Sequence, residues 1–259
     1  MSGFRPTMSK RGSNSLVENI KTIVYAGLIA IGIRTVAFEP FNIPSSSMVP
    51  TLLVGDYLFV SKYSYGYSVH SLPLSPPLFH GRIFGKLPER GDVAVFKLPK
   101  DNSTDYIKRI IGLPGDRIQV KSGQLFINGT LVPRNAVGNY TAEEGVARTV
   151  AKRFTETLPN GKVHDILKMS DGPLMAAPDV DMNNTIEYVV PQGFVFAMGD
   201  NRDNSLDSRV QSEVGFVPLE NLVGRAEFIW FSIDATEPAY AFWAWPMEIR
   251  WSRLFSGIS

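Results

Sequence analysis

Three short segments carry polar side chains that could act on a covalent bond. The first is "PSSSMVP", residues 44–50, which sets Ser45, Ser46 and Ser47 between two prolines. Proline fixes its own φ and biases the residue before it toward extended conformations, so the hydroxyls should be presented in a fixed direction from near-extended backbone. The second is Lys108, inside the otherwise apolar run "DYIKRIIG" (105–112). In a strand, Lys108 shares a face with Tyr106 and Ile110, and Arg109 shares the other with Ile107 and Ile111, so one of the two basic residues should point inward. The third is "GDNRDNSLDSR" (199–209), dense in Asp, Asn, Ser and Arg between apolar runs.

Each segment has a plainer reading when taken alone: a solvated serine loop, a lysine on an edge strand, a turn that hydrogen-bonds to itself. Taken together they can make a hydrolase without histidine. A serine hydroxyl needs a base, and a neutral amine serves if apolar burial disfavours its ammonium form. Lowering a lysine pKa from about 10.4 to near 8 costs roughly 3 kcal/mol, which a folded domain tolerates. Other chemistries fit poorly. The late segment fails as a calcium loop, because Arg202 stands third from Asp200, the glycine is missing and no Glu falls twelfth. No Ser-x-x-Lys spacing of the penicillin-binding kind joins these residues. The three histidines, His70, His80 and His164, are not at metal-ligand spacing, and there is no cysteine, so neither a zinc site nor a disulfide is expected. A net charge of +1 gives no electrostatic case for nucleic acid.

The elements that must position these groups are mostly strands. "YLFVSKY" (57–63), "GDVAVFKL" (91–98), "DYIKRIIG", "EYVVPQGFVFAMGD" (187–200) and "GRAEFIWFSI" (224–233) read as strands bounded by turn residues. "RIQVKSGQLFINGTLV" reads as strand, turn, strand, with Asn128-Gly129 as the tight turn. "HSLPLSPPLFHG" (70–81) is a proline-rich loop. Residues 134–187 are more polar and read as an inserted subdomain or long excursion. Ahead of all this, Arg5, Lys10, Arg11 and Lys21 precede "TIVYAGLIAIGIRTVAF" (22–38), a run at the short end of what crosses a hydrocarbon core of roughly 30 Å. Arg34 interrupts it, leaving a stretch of signal-peptide length, but its long side chain can reach the interface from a retained span. The basic flank places the N-terminus in the cytoplasm and everything after Glu39 outside. The expected class is a mainly β protein: a membrane-anchored catalytic domain of antiparallel sheets with an inserted second subdomain and one N-terminal transmembrane helix. Its divisions are residues 1–21 (cytoplasmic), 22–39 (anchor), 40–133 and 188–259 (catalytic core) and 134–187 (insertion).

In order and spacing, "IPSSSMVPTLLVGD", "RGDVAVF" with "DYIKRIIGLPGD", and "GDNRDNSLDSR" resemble the nucleophile, lysine and Gly-Asp boxes of the bacterial type I signal peptidases, membrane-anchored Ser-Lys proteases. The resemblance implies that Ser47 is the nucleophile and Lys108 the general base. It implies that the Ser45 hydroxyl joins the Ser47 N–H in an oxyanion hole, and that Ser205 orients the lysine amine. Asp200, Arg202 and Asp207 would brace this region, and Gly199 would stand where any side chain crowds the lysine. Phe41, Ile43, Met48, Leu52 and Ile107 would line shallow pockets for small substrate residues, Ile107 through its backbone, since alternation turns its side chain away from Lys108. Ser46 and Ser208 match no chemical role. No metal and no cofactor is implied.

The implied partners are the signal peptides of exported pre-proteins, cut after small residues of the Ala-x-Ala type, together with membrane lipid and, as a candidate, the protein-export machinery. The implied location is the bacterial inner membrane, single-pass, with the catalytic domain on the periplasmic side. Ser47 stands only nine positions after Phe38, which keeps the nucleophile within roughly 30 Å of the bilayer. Trp243, Trp245 and Trp251 are candidates either for the interface or for core packing. Rival readings are a related Ser-Lys peptidase that matures pilins or conjugation proteins, a self-cleaving repressor, and an anchored β-domain that binds without cutting. The anchor and the lack of a DNA-binding segment before the serines argue against the repressor. The joint presence of Ser47, Lys108 and Ser205 argues against a domain that only binds.

Overall fold

Alternating apolar residues between Gly, Pro, Asn and Asp turns favour short antiparallel strands, and the computed structural model, which describes residues 12–72, 75, 79–144, 147–234 and 245–259, has that architecture. Helix α1 (Gly12–Val36) is followed by β1 (Phe38–Asn42), β2 (Asp56–Ser61), β3 (Val93–Lys97), β4 (Asp105–Gly112), β5 (Arg117–Lys121), β6 (Gln124–Ile127) and β7 (Thr130–Leu131). Then come β8 (Arg134–Glu144), β9 (Ala147–Thr157), β10 (Val163–Lys168), β11 (Met175–Ala177), β12 (Val180–Asp181), β13 (Tyr188–Val189), β14 (Phe194–Met198), β15 (Val217–Pro218) and β16 (Leu222–Ser232). A seven-stranded sheet runs in the order β1-β2-β16-β3-β4-β14-β15. Every pairing in it is antiparallel. The mainly β expectation is met.

Strand β4 lies between β3 and β14 in this sheet, with Ala94 opposite Lys108 and Met198 opposite Arg109. One side of the sheet packs a core of Ile43, Met48, Leu52, Leu58, Val60, Val93 and Val95 with residues of β16. A second core joins Ile111 of β4 to Ile118, Val120, Leu125 and Ile127 of the four-stranded sheet β13-β5-β6-β7. Residues 134–187 carry a long hairpin, β8 and β9, extended by β10 into a three-stranded sheet, and the small pair β11-β12. The hairpin's strands are eleven residues each, longer than the scattered apolar residues there announce.

Several boundaries differ from expectation. The helix begins at Gly12 and ends at Val36, so Phe38 and Glu39, expected in the anchor, pair instead with Ser61 and Val60 of β2. Residues Leu16–Arg34 of the helix are apolar enough and long enough to cross a membrane, and none of that stretch is buried. Where one turn was expected between 117 and 131 there are two. Ser122-Gly123 and Asn128-Gly129 all adopt positive φ, and Asn and Gly in succession meet that requirement at the second. The run 187–200 divides into β13 and β14, because Pro191 has no N–H for a ladder and Gly193 turns the chain at φ 83°. Arg5, Lys10, Arg11, much of the proline-rich loop, Trp243 and the Trp245 side chain lie outside the described residues. Trp251 is 64% exposed, which excludes core packing for it.

Candidate active site

The serine segment closes the β1–β2 hairpin. Ile43 and Gly55 hold its two ends together through Ile43 N to Asp56 O (2.8 Å) and Gly55 N to Ile43 O (3.0 Å). Between them the chain crosses toward β4. Ser45 is extended (φ −130°, ψ 154°), but Ser46–Met48 form one turn of 3₁₀ helix before Val49 returns to extended geometry (φ −63°, ψ 135°). This corrects the expectation of near-extended backbone throughout. Pro44 and Pro50 constrain only themselves and their preceding residues, and the three residues between remain free to turn.

Met48 and Leu52 explain why the loop lies across the sheet. Both are fully buried in the core with Leu58, Val60 and Val93. Burying a side chain of this size contributes on the order of 1.5–3 kcal/mol. They pin the loop from beneath and are not among the residues that line the groove beside Ser47. The remaining three pocket candidates lie along an open groove. Phe41, Ile43 and Ile107 belong to a groove of about 410 Å³ that also takes in Ser45, Ser47, Tyr106, Lys108, Asn204 and Leu206. Both side chain and carbonyl of Ile107 serve here, since the side chain packs against the core under the groove and the carbonyl accepts from Lys108 Nζ at 3.0 Å.

At the floor of the groove Lys108 Nζ donates to Ser47 Oγ at 2.7 Å, and Ser45 Oγ stands 3.4 Å from the same oxygen. Lys108 is 4% exposed, and its amine lies 5.2 Å from the Tyr106 ring centre. Burial lowers its pKa to about 8 against the opposing pull of Asp207 and Asp200. Roughly a tenth of the amine is then neutral at pH 7.

Arg109 was expected to face away if Lys108 faced inward. Instead both are buried, Arg109 at 1% exposure. Both faces of β4 are covered, and Arg109 is accommodated because its guanidinium meets Asp200 through Nε (2.9 Å) and Nη2 (2.7 Å) and also donates to Gly91 O (2.8 Å). The Asp200 carboxyl also accepts from Thr51 at 2.5 Å, linking the serine loop to the late segment. Although burial opposes it, Arg109 holds the Asp200 carboxyl below its ordinary pKa.

The other polar residues of 199–209 form a second paired layer. Asp207 accepts from Gly199 N (3.0 Å) and from Arg209 Nε and Nη2 (2.8 Å each). Arg209 thereby overcomes burial and holds this carboxyl low as well. Arg202 makes a two-bond pair with Glu156 of β9. His164 of β10 lies between the two ion pairs, with Nε2 3.5 Å from Glu156 and 3.9 Å from Asp200. Neither of its nitrogens makes a well-formed hydrogen bond. Burial, and then Arg109, lower its pKa to about 4. Ser205 is buried beside Gly199 and its hydroxyl likewise makes no well-formed hydrogen bond. A Cβ at Gly199 would come within 2.2 Å of Ser205 Oγ and 2.6 Å of Ser47 O, so only glycine permits this approach.

Ser45, Ser47, Lys108, Gly199, Asp200, Ser205 and Asp207 are thus brought together, with Arg202 braced one layer out. Sequence reasoning missed Arg109, Arg209, Thr51, Glu156 and His164 as partners. The arginines lay inside the quoted motifs and could have been matched to the carboxylates there, but nothing local marks Glu156 or His164. Among the described residues no cluster of His, Cys, Asp and Glu could hold a metal ion.

Comparison with known proteins gives consistent relatives. The family described as signal peptidase, peptidase S26, matches residues 16–231. The chain is 44% identical over 227 residues to signal peptidase I of Rickettsia typhi, covering 86% of this chain and 83% of that protein. It is 48% identical over 227 residues to signal peptidase I of Rickettsia canadensis, with 86% and 83% covered. A crystal structure of a signal peptidase I from Enterococcus faecalis aligns with 54% of this chain and 97% of its own at 25% identity, but the TM-score of 0.30 is too low to build on.

Proposed function

The chain belongs to the signal peptidase family, peptidase S26, and on that premise we propose that Ser47 and Lys108 form the dyad by which it cuts. Its activity is the removal of signal peptides from exported proteins. The observation that carries the proposed dyad is the 2.7 Å contact between a buried, pKa-lowered amine and a serine hydroxyl at the floor of a groove.

In this reading the neutral Lys108 amine takes the Ser47 proton as Oγ attacks the scissile carbonyl. The oxyanion forms beside the Ser45 hydroxyl and the Ser47 N–H, donors fixed in place before charge develops. The Lys108 ammonium then protonates the departing amine, leaving an ester on Ser47. Water gives a proton to Lys108 and attacks the ester, and the ammonium returns that proton to Ser47. Ser205, a buried hydroxyl beside Gly199 and Asp207, orients the amine lone pair, and Asp200, Arg202 and Asp207 hold the surrounding loops.

The walls formed by Phe41, Ile43 and Ile107 favour small residues such as Ala before the cut. Helix α1 is the anchor, with its N-terminus in the cytoplasm and the catalytic domain across the bacterial inner membrane. Residues 40–133 and 188–259 form the catalytic core, and 134–187 the insertion. Membrane lipid and the export machinery are then partners. The test is cleavage of a pre-protein and of synthetic pre-peptides by purified wild type and Ser47→Ala. The reading expects cleavage after Ala, little after Leu, and none by the variant. Full activity in Ser47→Ala, or equal cleavage after Leu and Ala, would contradict it.

A further inference from the structure

A single turn of 3₁₀ helix is a weak support for a nucleophile. Its last carbonyls have no partner within the turn, and its hydrogen bonds are poorly aligned. The Ser46–Met48 turn has one bond of its own, Val49 N to Ser46 O at 3.2 Å. Leu52 N closes on Met48 O at 2.9 Å, and the contacts to Ser46 O, Ser47 O and Ser46 Oγ from the late segment come from two asparagines. Asn201 donates twice to successive carbonyls, from its backbone N to Ser47 O (3.1 Å) and from Nδ2 to Ser46 O (3.1 Å). Asn204 donates from Nδ2 to Ser46 Oγ (2.9 Å) and from its own N to Asn201 O (3.0 Å). Ser47 O, which the turn leaves open, is thereby capped from outside, and Ser46 O gains a second donor beside Val49 N.

We propose that Asn201 and Asn204 are positioning residues of the catalytic reaction, bracing the Ser46–Met48 turn so that Ser47 Oγ stays within reach of Lys108 Nζ. The proposal rests on the Ser47–Lys108 reading. Asparagine suits the place because its side-chain N–H donors can reach one carbonyl while its backbone N–H reaches the next. The two neighbouring polar residues are committed elsewhere: Asp200 to Arg109 and Thr51, Arg202 to Glu156. Asn201 and Asn204 are thus the side chains of this segment that reach the serine turn itself. Ser46, which has no chemical role of its own, becomes the handle by which the late segment grips the nucleophile. A displacement of about 1 Å at a reacting atom can cost about 10²-fold in rate, so a weakened brace should appear in turnover.

The experiment uses the full chain in detergent with a pre-protein substrate. It compares wild type, Asn201→Asp and Asn204→Ala, with turnover counted per Ser47 titrated by a serine-reactive probe, and Ser47→Ala counted per folded protein. Asn201→Asp keeps the shape but replaces the donor to Ser46 O with a carboxylate. The expected result is a kcat about 10–10²-fold lower in Asn201→Asp and roughly threefold to tenfold lower in Asn204→Ala. KM should stay unchanged in Asn201→Asp, and the pH midpoint of the kcat/KM profile should stay unchanged in both variants. Counting per titrated site removes any loss of folded protein. A wild-type kcat in Asn201→Asp overturns the brace while leaving the dyad intact, provided Ser47→Ala is dead. A fall explained wholly by a raised pH midpoint also overturns it, because the new charge would then act on Lys108 instead of the turn. Activity in Ser47→Ala overturns the dyad reading beneath it.

Discussion

The Lys108 amine meets the Ser47 hydroxyl at 2.7 Å across 61 positions of sequence, and the next residue, Arg109, turns the other way to hold Asp200. One strand therefore carries a cation that must lose its proton beside a cation that never does. The difference lies in the partners. Arg109 is paired with a carboxylate, whereas Lys108 has a hydroxyl and a carbonyl, neither of which repays the desolvation of an ammonium.

That imbalance has a cost in stability. The folded pKa of Lys108, about 8, is below its unfolded value of 10.5. The unfolded chain therefore binds protons more readily in this window, and the penalty is fully present below pH 8 and is relieved as pH rises toward 10.5. Lys108→Met should be more stable than wild type at pH 7 by up to about 3 kcal/mol, while inactive. Denaturant unfolding at pH 7 and pH 10 checks this, and the gain should shrink at the higher pH. A variant less stable than wild type at pH 7 would contradict it.

Ser45→Ala removes one of two proposed donors to the oxyanion. Turnover should fall about 10²–10³-fold with little change in KM. Ser46→Ala loses the same bond that Asn204→Ala removes and should fall no further than that variant, roughly threefold to tenfold. Steady-state kinetics on one pre-protein ranks the two, and a reversed order would move the oxyanion hole elsewhere.

His164 gives an acid limb to stability that is separate from catalysis. It faces Glu156 and Asp200, each already paired with an arginine, Arg202 and Arg109. A proton on the imidazole would add an unmatched charge. With a folded pKa of about 4 against an ordinary 6.5, its contribution is intact above pH 6.5 and is lost as pH falls from 6.5 to 4. The loss should reach about 3 kcal/mol. Thermal unfolding between pH 7 and pH 4.5 should show a steeper fall for wild type than for His164→Gln. Equal slopes would assign the acid limb to other groups.

The sequence was most legible where chemistry is local. Ser45 to Ser47, Lys108 and the 199–209 segment stand in continuous motifs, and β4 spans the expected residues 105–112. It was least legible where a partner comes from a distant strand. Glu156 and His164 lie in the polar stretch 134–187, where nothing nearby shows that a charge will be buried and matched. The burial of Met48 and Leu52 was illegible for a related reason: their position beside the serine suggested a pocket wall, and nothing local marks them as fully buried core residues. Only the packing of the loop on β2 and β3 shows that they serve as its anchor. Alternation held at Lys108 and Arg109, but the inference that only one of them points inward failed, because both side chains are buried.

The central claim is that Lys108 acts as a neutral base. An ammonium cannot take the Ser47 proton, so kcat/KM on a pre-protein should rise with pH through about 8 in wild type. Lys108→Arg keeps the positive charge but cannot release a proton in this range. The direct measurement is kcat/KM of Lys108→Arg beside Lys108→Ala and the wild-type pH profile. The account predicts that the arginine variant is as inactive as the alanine variant at every pH. Substantial activity in Lys108→Arg, or a wild-type profile flat from pH 6 to pH 10, would contradict it.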